Sequence, residues 1–196
     1  MLWVAFLAAS VSCAAYFIEA VVLIWLHIKA PQYNPVNHAI SDYGVGQTKS
    51  LFIFYLQLNN IGTFTFAVAL IAGFGTPLIP LRTLIFLFLL ILCRIAIVFF
   101  PTDLEGSPLT RTGFLHYVFA VLVFALLYTT IAELTRIFGA NILIVLSVIA
   151  TYSLTAVVVT MWKPLRKAFG FFERIFIGAT ILWFLAASVF LIIFFH

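Results

Sequence analysis

Residues 34–46 bring together side chains that can do acid–base chemistry and residues that form turns, within a chain that is otherwise almost entirely apolar. Asn34 is a favourable N-cap, the proline after it suits the first helical position, and the glycine at position 44 favours a helix end. The sequence therefore predicts a short helix over about residues 35–43. Three polar residues on this helix are spaced i, i+3 and i+4 and share one face: His38, Ser41 and Asp42.

Two more polar side chains, Asp103 and His116, follow the third apolar segment and begin the fourth. With His38 and Asp42 they supply two imidazoles and two carboxylates, a ligand set that suits zinc or another divalent metal with open coordination positions. Such a metal would lower the pKa of bound water to about 7 and create a nucleophile for ester or phosphoester cleavage. The sequence therefore leaves the cofactor open, with a divalent metal as the group to test.

The same residues offer a second chemistry that needs no metal. His38 or His116 can act as a general base oriented by an aspartate, with Ser41 as the nucleophile of an acyl transfer. The sequence contains neither a Gly-x-Ser-x-Gly elbow nor a His-Glu-x-x-His motif, so whether the chain is an enzyme stays open. The predicted catalytic residues are His38, Ser41, Asp42, Asp103 and His116.

The composition indicates which kind of protein must position these residues. Hydrophobic residues make up 65% of the chain and charged residues 8%, with a mean hydropathy of +1.25, whereas soluble domains are roughly 25% charged. A chain of 196 residues holds about six apolar spans of roughly 20 residues with short connectors. We therefore predict an all-α integral membrane protein, a single bundle of six transmembrane helices with a short helix in the first connector. The predicted spans are about residues 2–26, 51–74, 81–100, 113–134, 140–162 and 175–195.

Charge and cysteine content argue against two other classes of protein. The net charge is +4, but the basic residues are scattered at the ends of the predicted spans, which fits membrane topology better than a phosphate-binding surface. Nucleic acid is therefore not an expected partner. Cys13 and Cys93 both fall inside predicted spans, so we expect buried apolar residues rather than a disulfide or a pair of metal ligands.

The basic residues are divided unevenly between the two ends of the predicted bundle. The connectors after spans one, three and five carry most of them, while the opposite end carries only Arg82 and Arg136. The positive-inside rule then predicts that the end with the first connector is cytoplasmic and that both termini are outside. The basic residues at the predicted cytoplasmic end are Lys29, Lys49, Arg111, Lys163, Arg166, Lys167 and Arg174.

Polar residues inside the spans are predicted to lie at similar depths. At 1.5 Å per residue, Glu19 is about 12 Å below the connector end of span one, and Arg94 is about 10 Å below the same surface in span three. Asn59 and Asn60 lie about 12 to 14 Å down span two, and His116 lies about 5 Å down span four. Because ionised groups in hydrocarbon normally pair, we predict that Glu19 pairs with Arg94 in a polar cavity that opens beside the first connector.

Three functions are compatible with such a cavity. The protein could bind or move a lipid or small amphiphile, or act as a membrane-embedded lipid hydrolase or transferase with or without a metal, or serve as a structural or accessory subunit. A membrane lipid is the expected partner, and the sequence leaves open a protein partner or an assembly of identical chains. The predicted substrate-binding residues are Glu19, Asn60, Arg94 and Lys49.

The order of these motifs resembles one family of membrane proteins. The motifs are Asn34-Pro35 with His38, Ile40-Ser41-Asp42-Tyr43-Gly44, Asn59 or Asn60, Phe100-Pro101-Thr102-Asp103 with Gly106, and Gly113 with His116. The pattern resembles the bacterial family called domain of unknown function 998 over about residues 1–190. Its Ile-Ser-Asp-x-Gly core is similar to eukaryotic DRAM-type membrane proteins, which are tied to lipid remodelling, phosphoinositide regulation and autophagy. The resemblance implies a multi-pass protein of the bacterial cytoplasmic (inner) membrane, while function transfers only by analogy.

Overall fold

Six long helices account for most of the chain. The computed structural model describes residues 1–104 and 107–196, and only the backbone of residues 76, 77 and 163. Each of the six helices is long and apolar enough to cross a membrane, which confirms the predicted all-α class and the six spans. The helices are α1 (Leu2–Lys29), α2 (Lys49–Leu78), α3 (Leu81–Phe99), α4 (Arg111–Phe138), α5 (Asn141–Thr160) and α6 (Phe169–Phe195).

Helices that are consecutive along the chain are also neighbours in space. Each of α1 to α5 packs against the helix that follows it, and α6 returns to pack against α1, which closes the bundle into a ring. Consecutive helices joined by short connectors run in opposite directions. The connectors after α1, α3 and α5 therefore lie at one end of the bundle, as the sequence predicts.

Small side chains allow α1, α2 and α6 to approach closely. The Ser12 hydroxyl on α1 donates to the Gly62 carbonyl on α2 at 3.0 Å and lies 2.9 Å from the Ser188 hydroxyl on α6. A Cβ atom on Gly62 would lie only 2.8 Å from the Tyr16 ring, so this crossing requires a glycine. Small and hydroxylated residues are the usual means by which helices pack tightly in membranes.

All six helices differ by at least one residue from their predicted bounds, and the differences in α2 and α6 affect the two polar ends of the bundle most. The helix α2 continues to Leu78 past an interruption at Gly75, whose φ of 70° and ψ of 176° suit glycine alone. The helix α6 begins at Phe169, so Arg174 belongs to that helix and not to the connector in which the sequence placed it. The 3-10 helix Lys163–Ala168 precedes α6 and carries the other basic residues of this region.

The first connector (residues 30–48) is not built as the sequence predicts. A helix over residues 35–43 is wrong, because the chain forms a turn at residues 35–37 and then two 3-10 helices, Ile40–Gly44 and Gly46–Thr48. Asn34 does act as a cap, since its side-chain oxygen accepts from the Val36 amide at 2.9 Å. His38 lies outside both 3-10 helices, so the predicted shared face of His38, Ser41 and Asp42 does not form.

Candidate functional site

The deepest polar residues of α1 and α2 meet inside the bundle. The Glu19 carboxylate is fully buried, and its Oε1 accepts from the Asn59 side-chain amide at 2.7 Å. The Tyr55 hydroxyl is a further electrostatic neighbour of this carboxylate. Because an ionisable residue in hydrocarbon is costly, Glu19 must be held by such partners or act on a ligand.

Thr63 connects this carboxylate to a cation on α3. The Arg94 guanidinium donates from Nη1 to the Thr63 hydroxyl at 2.9 Å, and the Tyr16 hydroxyl lies 2.9 Å from the same oxygen. The Thr63 hydroxyl in turn donates to the Asn59 side-chain oxygen, at a long 3.5 Å. Hydrogen bonds therefore run in one direction from Arg94 through Thr63 and Asn59 to Glu19.

We refer to these side chains as the inner cluster, and we group with them Asn60, which is buried and lies next to Asn59 and one turn before Thr63 on α2: Tyr16, Glu19, Asn59, Asn60, Thr63 and Arg94. The predicted direct pair of Glu19 with Arg94 does not form, since among the described residues no nitrogen of Arg94 lies within 4.0 Å of a Glu19 oxygen. The two charges are joined instead through the uncharged side chains between them. The cluster is also closed, because Glu19 is 0% and Arg94 2% exposed, whereas the sequence predicts a cavity open to one membrane face.

Four polar atoms of the inner cluster lack a hydrogen-bond partner in the part of the chain that the structure describes. They are Glu19 Oε2, Arg94 Nη2 and both polar atoms of the Asn60 side chain. Buried polar groups are nearly always paired with protein, water or ligand, so each such atom needs an explanation. The set contains two acceptors and two donors and comes from three different helices.

A second polar site lies nearer the membrane surface, where α2, α3 and α4 meet the first connector. A small cavity of about 10 Å³, roughly the space of one water molecule, is bordered by His116 and Ser41. We refer to it as the His116 cavity. The polar residues that line it are Ser41, Lys49, Thr102 and His116, and the apolar ones include Phe52, Ile53, Ile97 and Val98.

The tautomer of His116 follows from its hydrogen bond to the α3–α4 connector. Its ring is 2% exposed, and Nδ1 lies 2.8 Å from the Phe100 carbonyl oxygen. A carbonyl only accepts, so Nδ1 carries the hydrogen and Nε2 of the neutral ring keeps a lone pair. Such a ring can accept a proton from a hydroxyl that enters the cavity.

The two aspartates of the predicted catalytic set have local partners. Asp103 accepts from the Thr110 amide at 2.7 Å and the Thr110 hydroxyl at 2.9 Å, and Thr110 is the N-cap of α4. Asp42 accepts from the Ala39 amide at 3.1 Å and is buried. Both carboxylates therefore hold backbone turns in place.

The structure does not bring the predicted metal ligands together. Within residues 1–104 and 107–196, no group of three His, Cys, Asp or Glu side chains is placed to hold a metal ion. His116 and Asp103 are close along the chain, but their hydrogen bonds point to the α3–α4 connector, while His38 and Asp42 belong to the first connector. The ligand set His38, Asp42, Asp103 and His116 is thus divided between two places.

Arg174 on α6 binds the first connector at two points and α1 at a third, although the sequence suggests only a topology charge. Its Nη1 donates to the His38 carbonyl at 2.6 Å, its Nη2 donates to the Tyr43 hydroxyl at 3.0 Å, and its Nε donates to His27 Nε2 at 2.7 Å. The guanidinium also lies 5.6 Å from the centre of the Tyr43 ring. An arginine is suited to this role because its planar fork presents several donors at fixed angles.

Glu173 adds a second anchor beside Arg174. Its buried carboxylate accepts from the Ile40 amide at 2.7 Å, and the Phe171 amide donates to the Val36 carbonyl at 3.0 Å. Sequence analysis missed Glu173 entirely. The available signal was a single acidic residue at the start of an apolar span, since an ionisable residue in such a segment is by default a site candidate.

His38 is placed at the first connector rather than at the His116 cavity. Its ring lies 5.6 Å from the Tyr33 ring, and its Nδ1 is buried without a hydrogen-bond partner among the described residues. Partial burial and the nearby Asp42 carboxylate raise the pKa of Tyr33 above its usual value.

Of the predicted catalytic residues, only Ser41 and His116 share one cavity. Gly106, which belongs to the family motif, lies outside the described residues.

Comparison with known proteins identifies the family. The comparisons with curated proteins and with solved structures give no match. The family model described as "Protein of unknown function (DUF998)" matches residues 3–189, which include α2 to α5, most of α1 and α6, and both polar sites. The six candidate spans of the structure indicate a multi-pass, all-helical membrane protein. The chain belongs to the DUF998 family.

Proposed function

We propose that this membrane protein binds or moves a lipid or small amphiphile and holds its polar head at the inner cluster. The observation that carries the proposal is the set of four unpaired, buried polar atoms on three helices. Leaving such atoms without partners costs roughly 1–3 kcal/mol each, and more where the group is charged, so a bound polar group would be strongly favoured.

The chemistry of the unpaired atoms indicates what kind of head group fits. Arg94 Nη2 can donate to an anionic oxygen such as a phosphate oxygen, while Glu19 Oε2 can accept from an ammonium or hydroxyl group. The Asn60 amide can do both. A head group that carries donors as well as an anionic oxygen therefore suits the cluster better than a purely anionic or purely apolar ligand.

Asn60 gives the sharpest test of this proposal. It makes no hydrogen bond within the described residues, so Asn60→Leu, which conserves size, should leave the fold intact while removing two contacts to a ligand. Native mass spectrometry of protein purified with phosphatidylethanolamine, phosphatidylglycerol and cardiolipin should show a retained lipid on the wild type and at least a tenfold lower occupancy on Asn60→Leu.

The matched control is Thr65→Val on the same helix. The Thr65 hydroxyl donates only to carbonyls of its own helix, at Ile61 and Gly62, so its loss should not change lipid occupancy. Equal occupancy in wild type and Asn60→Leu would contradict the proposal, and the absence of lipid from both proteins would favour a structural or accessory role.

A lipid hydrolase or transferase is the second candidate, because Ser41 and His116 border the same cavity. Here the Ser41 hydroxyl would attack an ester carbonyl while His116 Nε2 takes the hydroxyl proton and the Lys49 ammonium stabilises the oxyanion. The ester C–O bond would then break, the alcohol would leave with the proton from His116, and water or a second alcohol would release the acyl group from Ser41. A fluorophosphonate probe should then label the wild type but not Ser41→Ala, with Ser50→Ala as the exposed control. Labelling that persists in Ser41→Ala would exclude this mechanism.

The proposed location is the bacterial cytoplasmic (inner) membrane, with the first connector on the cytoplasmic side. Support comes from the resemblance to a bacterial family and from the excess of basic residues at that end of the bundle. A membrane lipid is the proposed partner, and nucleic acid is not. Whether the chain also assembles with a protein partner or with its own copies can be measured in the same native mass spectra.

A further inference from the structure

We propose that the first connector is a lid over the inner cluster, that neutral His27 holds it closed through Arg174, and that a proton on His27 releases it. The inference rests on the proposed function, because it describes how a ligand would reach the same cluster. The lid itself, however, can be measured without any ligand.

A lid is required because the inner cluster has no opening in this state. Glu19 and Arg94 are almost completely buried, while Ile40, Asp42 and Tyr43 of the first connector are buried against the bundle. The 3-10 helix Ile40–Gly44 packs on both α2 and α6. A lipid head group can therefore reach the cluster from this end of the bundle only if the first connector moves.

Tyr55 on α2 joins the lid contacts to the inner cluster. Its hydroxyl lies within electrostatic range of Glu19 and Arg94 and also of Glu173. Glu173 in turn holds the Ile40 amide of the lid. Tyr55 is therefore an electrostatic neighbour of both the anchor of the lid and the proposed ligand site.

Arg174 holds the lid in place because its side chain contacts both the lid and α1. Two of its nitrogens bind the lid, at the His38 carbonyl and the Tyr43 hydroxyl, and its Nε needs a third acceptor. His27 Nε2 supplies that acceptor at 2.7 Å. The direction of the guanidinium, and with it the position of the lid, therefore depends on His27.

His27 can accept from Arg174 only while the ring is neutral. Its Nδ1 lies 2.6 Å from the Leu23 carbonyl oxygen, so Nδ1 carries the hydrogen and Nε2 carries the lone pair. A second proton on the ring would sit on Nε2, where it would face the Nε hydrogen of Arg174. The hydrogen bond would be lost and two positive charges would be brought together, which pushes Arg174 away from α1.

The ionisable groups on the neighbouring elements do not compensate for this change. Tyr43, whose ring lies 5.3 Å from that of His27, is itself bound to Arg174. The Glu173 carboxylate is engaged by the Ile40 amide, and Asp42 accepts from the Ala39 amide. The remaining ionisable groups on these elements are Cys13, Tyr16, Glu19 and Lys29 on α1, Tyr33 on the first connector, and Lys49 and Tyr55 on α2. His38 is the imidazole within the lid itself, so it must be tested separately.

Hydrogen–deuterium exchange of peptides within residues 30–48 tests the lid directly. The protein is placed in nanodiscs and compared at pH 8 and pH 5.5, with rates corrected for the chemical pH dependence of exchange. We expect exchange in the wild-type lid to rise at least fivefold at pH 5.5. Peptides from α3 and α4 serve as the reference for an intact fold and should not change.

Two variants separate His27 from His38. His27→Gln keeps an oxygen that can accept from Arg174 and an amide that can donate to Leu23, but it cannot be protonated in this range. Its lid should stay closed at both pH values, whereas His38→Gln should behave like the wild type. Arg174→Lys, which cannot make the same three directed contacts, should have an open lid at both pH values.

Each other outcome overturns the inference. A wild-type lid that does not respond to pH, or one that responds equally in His27→Gln, excludes His27 as the switch. A response lost only in His38→Gln would assign it to His38. Lipid occupancy is measured in a separate experiment. A lid that responds to pH in a protein without bound lipid would support the lid and contradict the proposed function. A bound lipid with no response of the lid to pH would support the proposed function and contradict the lid.

Discussion

Thr63 shows how one uncharged residue can hold two buried charges in a membrane protein. Its hydroxyl accepts from the Arg94 guanidinium and donates towards Asn59, which holds Glu19. If Glu19 and Arg94 were in direct contact, the carboxylate and the guanidinium would use their hydrogen-bonding atoms on each other. The indirect arrangement instead leaves Arg94 Nη2 and Glu19 Oε2 without partners. These atoms can therefore bind a ligand, but their burial destabilises the fold.

The substitution Thr63→Val removes this hydroxyl with little change of shape. Arg94 Nη1 and the Tyr16 hydroxyl would then lose their partner in a buried position, so we expect the free energy of unfolding to fall by about 2–3 kcal/mol. Unfolding in mixed SDS micelles measures the change. Thr65→Val is the control and should cost close to nothing, so equal losses in the two variants would show that the hydroxyl of Thr63 has no special role.

Arg94 and Arg82 both stand on α3 and provide a contrast between the two ends of the bundle. Arg94→Ala should destabilise the protein by about 3–5 kcal/mol, because Glu19 is left buried without a compensating charge. The Arg82 side chain is 71% exposed and pairs with Glu133, so Arg82→Ala should cost less than about 1 kcal/mol. Thermal unfolding in detergent compares them, and a similar loss for both would contradict the assignment of Arg94 to a buried cluster.

At the scale of elements, the sequence predicts what depends on composition and misses what depends on tertiary contacts. The six spans follow from about 20 apolar residues each, which any membrane helix needs. The first connector does not follow from its capping residues, because Glu173 and Arg174, far along the chain, bind its backbone and select 3-10 helices. The number of residues from each span end predicts Glu19 and Arg94 at one depth, but the sequence does not predict Thr63 between them, since a threonine in a span usually bonds its own helix.

Gly170 tests the fit between α6 and the first connector. A Cβ atom at this position would overlap the carbonyl oxygens of His38 and Pro35, which are backbone atoms that cannot turn aside. Gly170→Ala should therefore displace the first connector and increase its cleavage by a protease at least fivefold. Gly178→Ala lies on the same helix with no atom within 4 Å of the added Cβ, so it should leave cleavage unchanged. Equal cleavage in both variants would mean that the connector does not depend on this contact.

At the scale of the whole molecule, the structure changes the count of charges that orients the bundle. The positive-inside rule concerns basic residues in water near the ends of the spans. Arg174 is bound by His27, Tyr43 and the His38 carbonyl, so it serves the first connector and does not count fully as an orienting charge. Lys29, Lys49, Arg111, Lys163, Arg166 and Lys167 still give this end an excess over Arg82 and Arg136. The predicted orientation therefore stands on a smaller difference than the sequence alone suggests.

Cysteine labelling in intact cells can test this orientation. After Cys13→Ala and Cys93→Ala, single substitutions are made at two exposed positions at opposite ends, Gln47→Cys in the first connector and Asn141→Cys at the start of α5. If the first connector is cytoplasmic, a membrane-impermeant maleimide should label Asn141→Cys in intact cells and Gln47→Cys only after permeabilisation. The opposite pattern would show that Lys49 and its basic neighbours at this end do not orient the chain, which would favour their use in binding an anionic head group. Labelling of both positions in intact cells would contradict the alternating arrangement of the six helices itself.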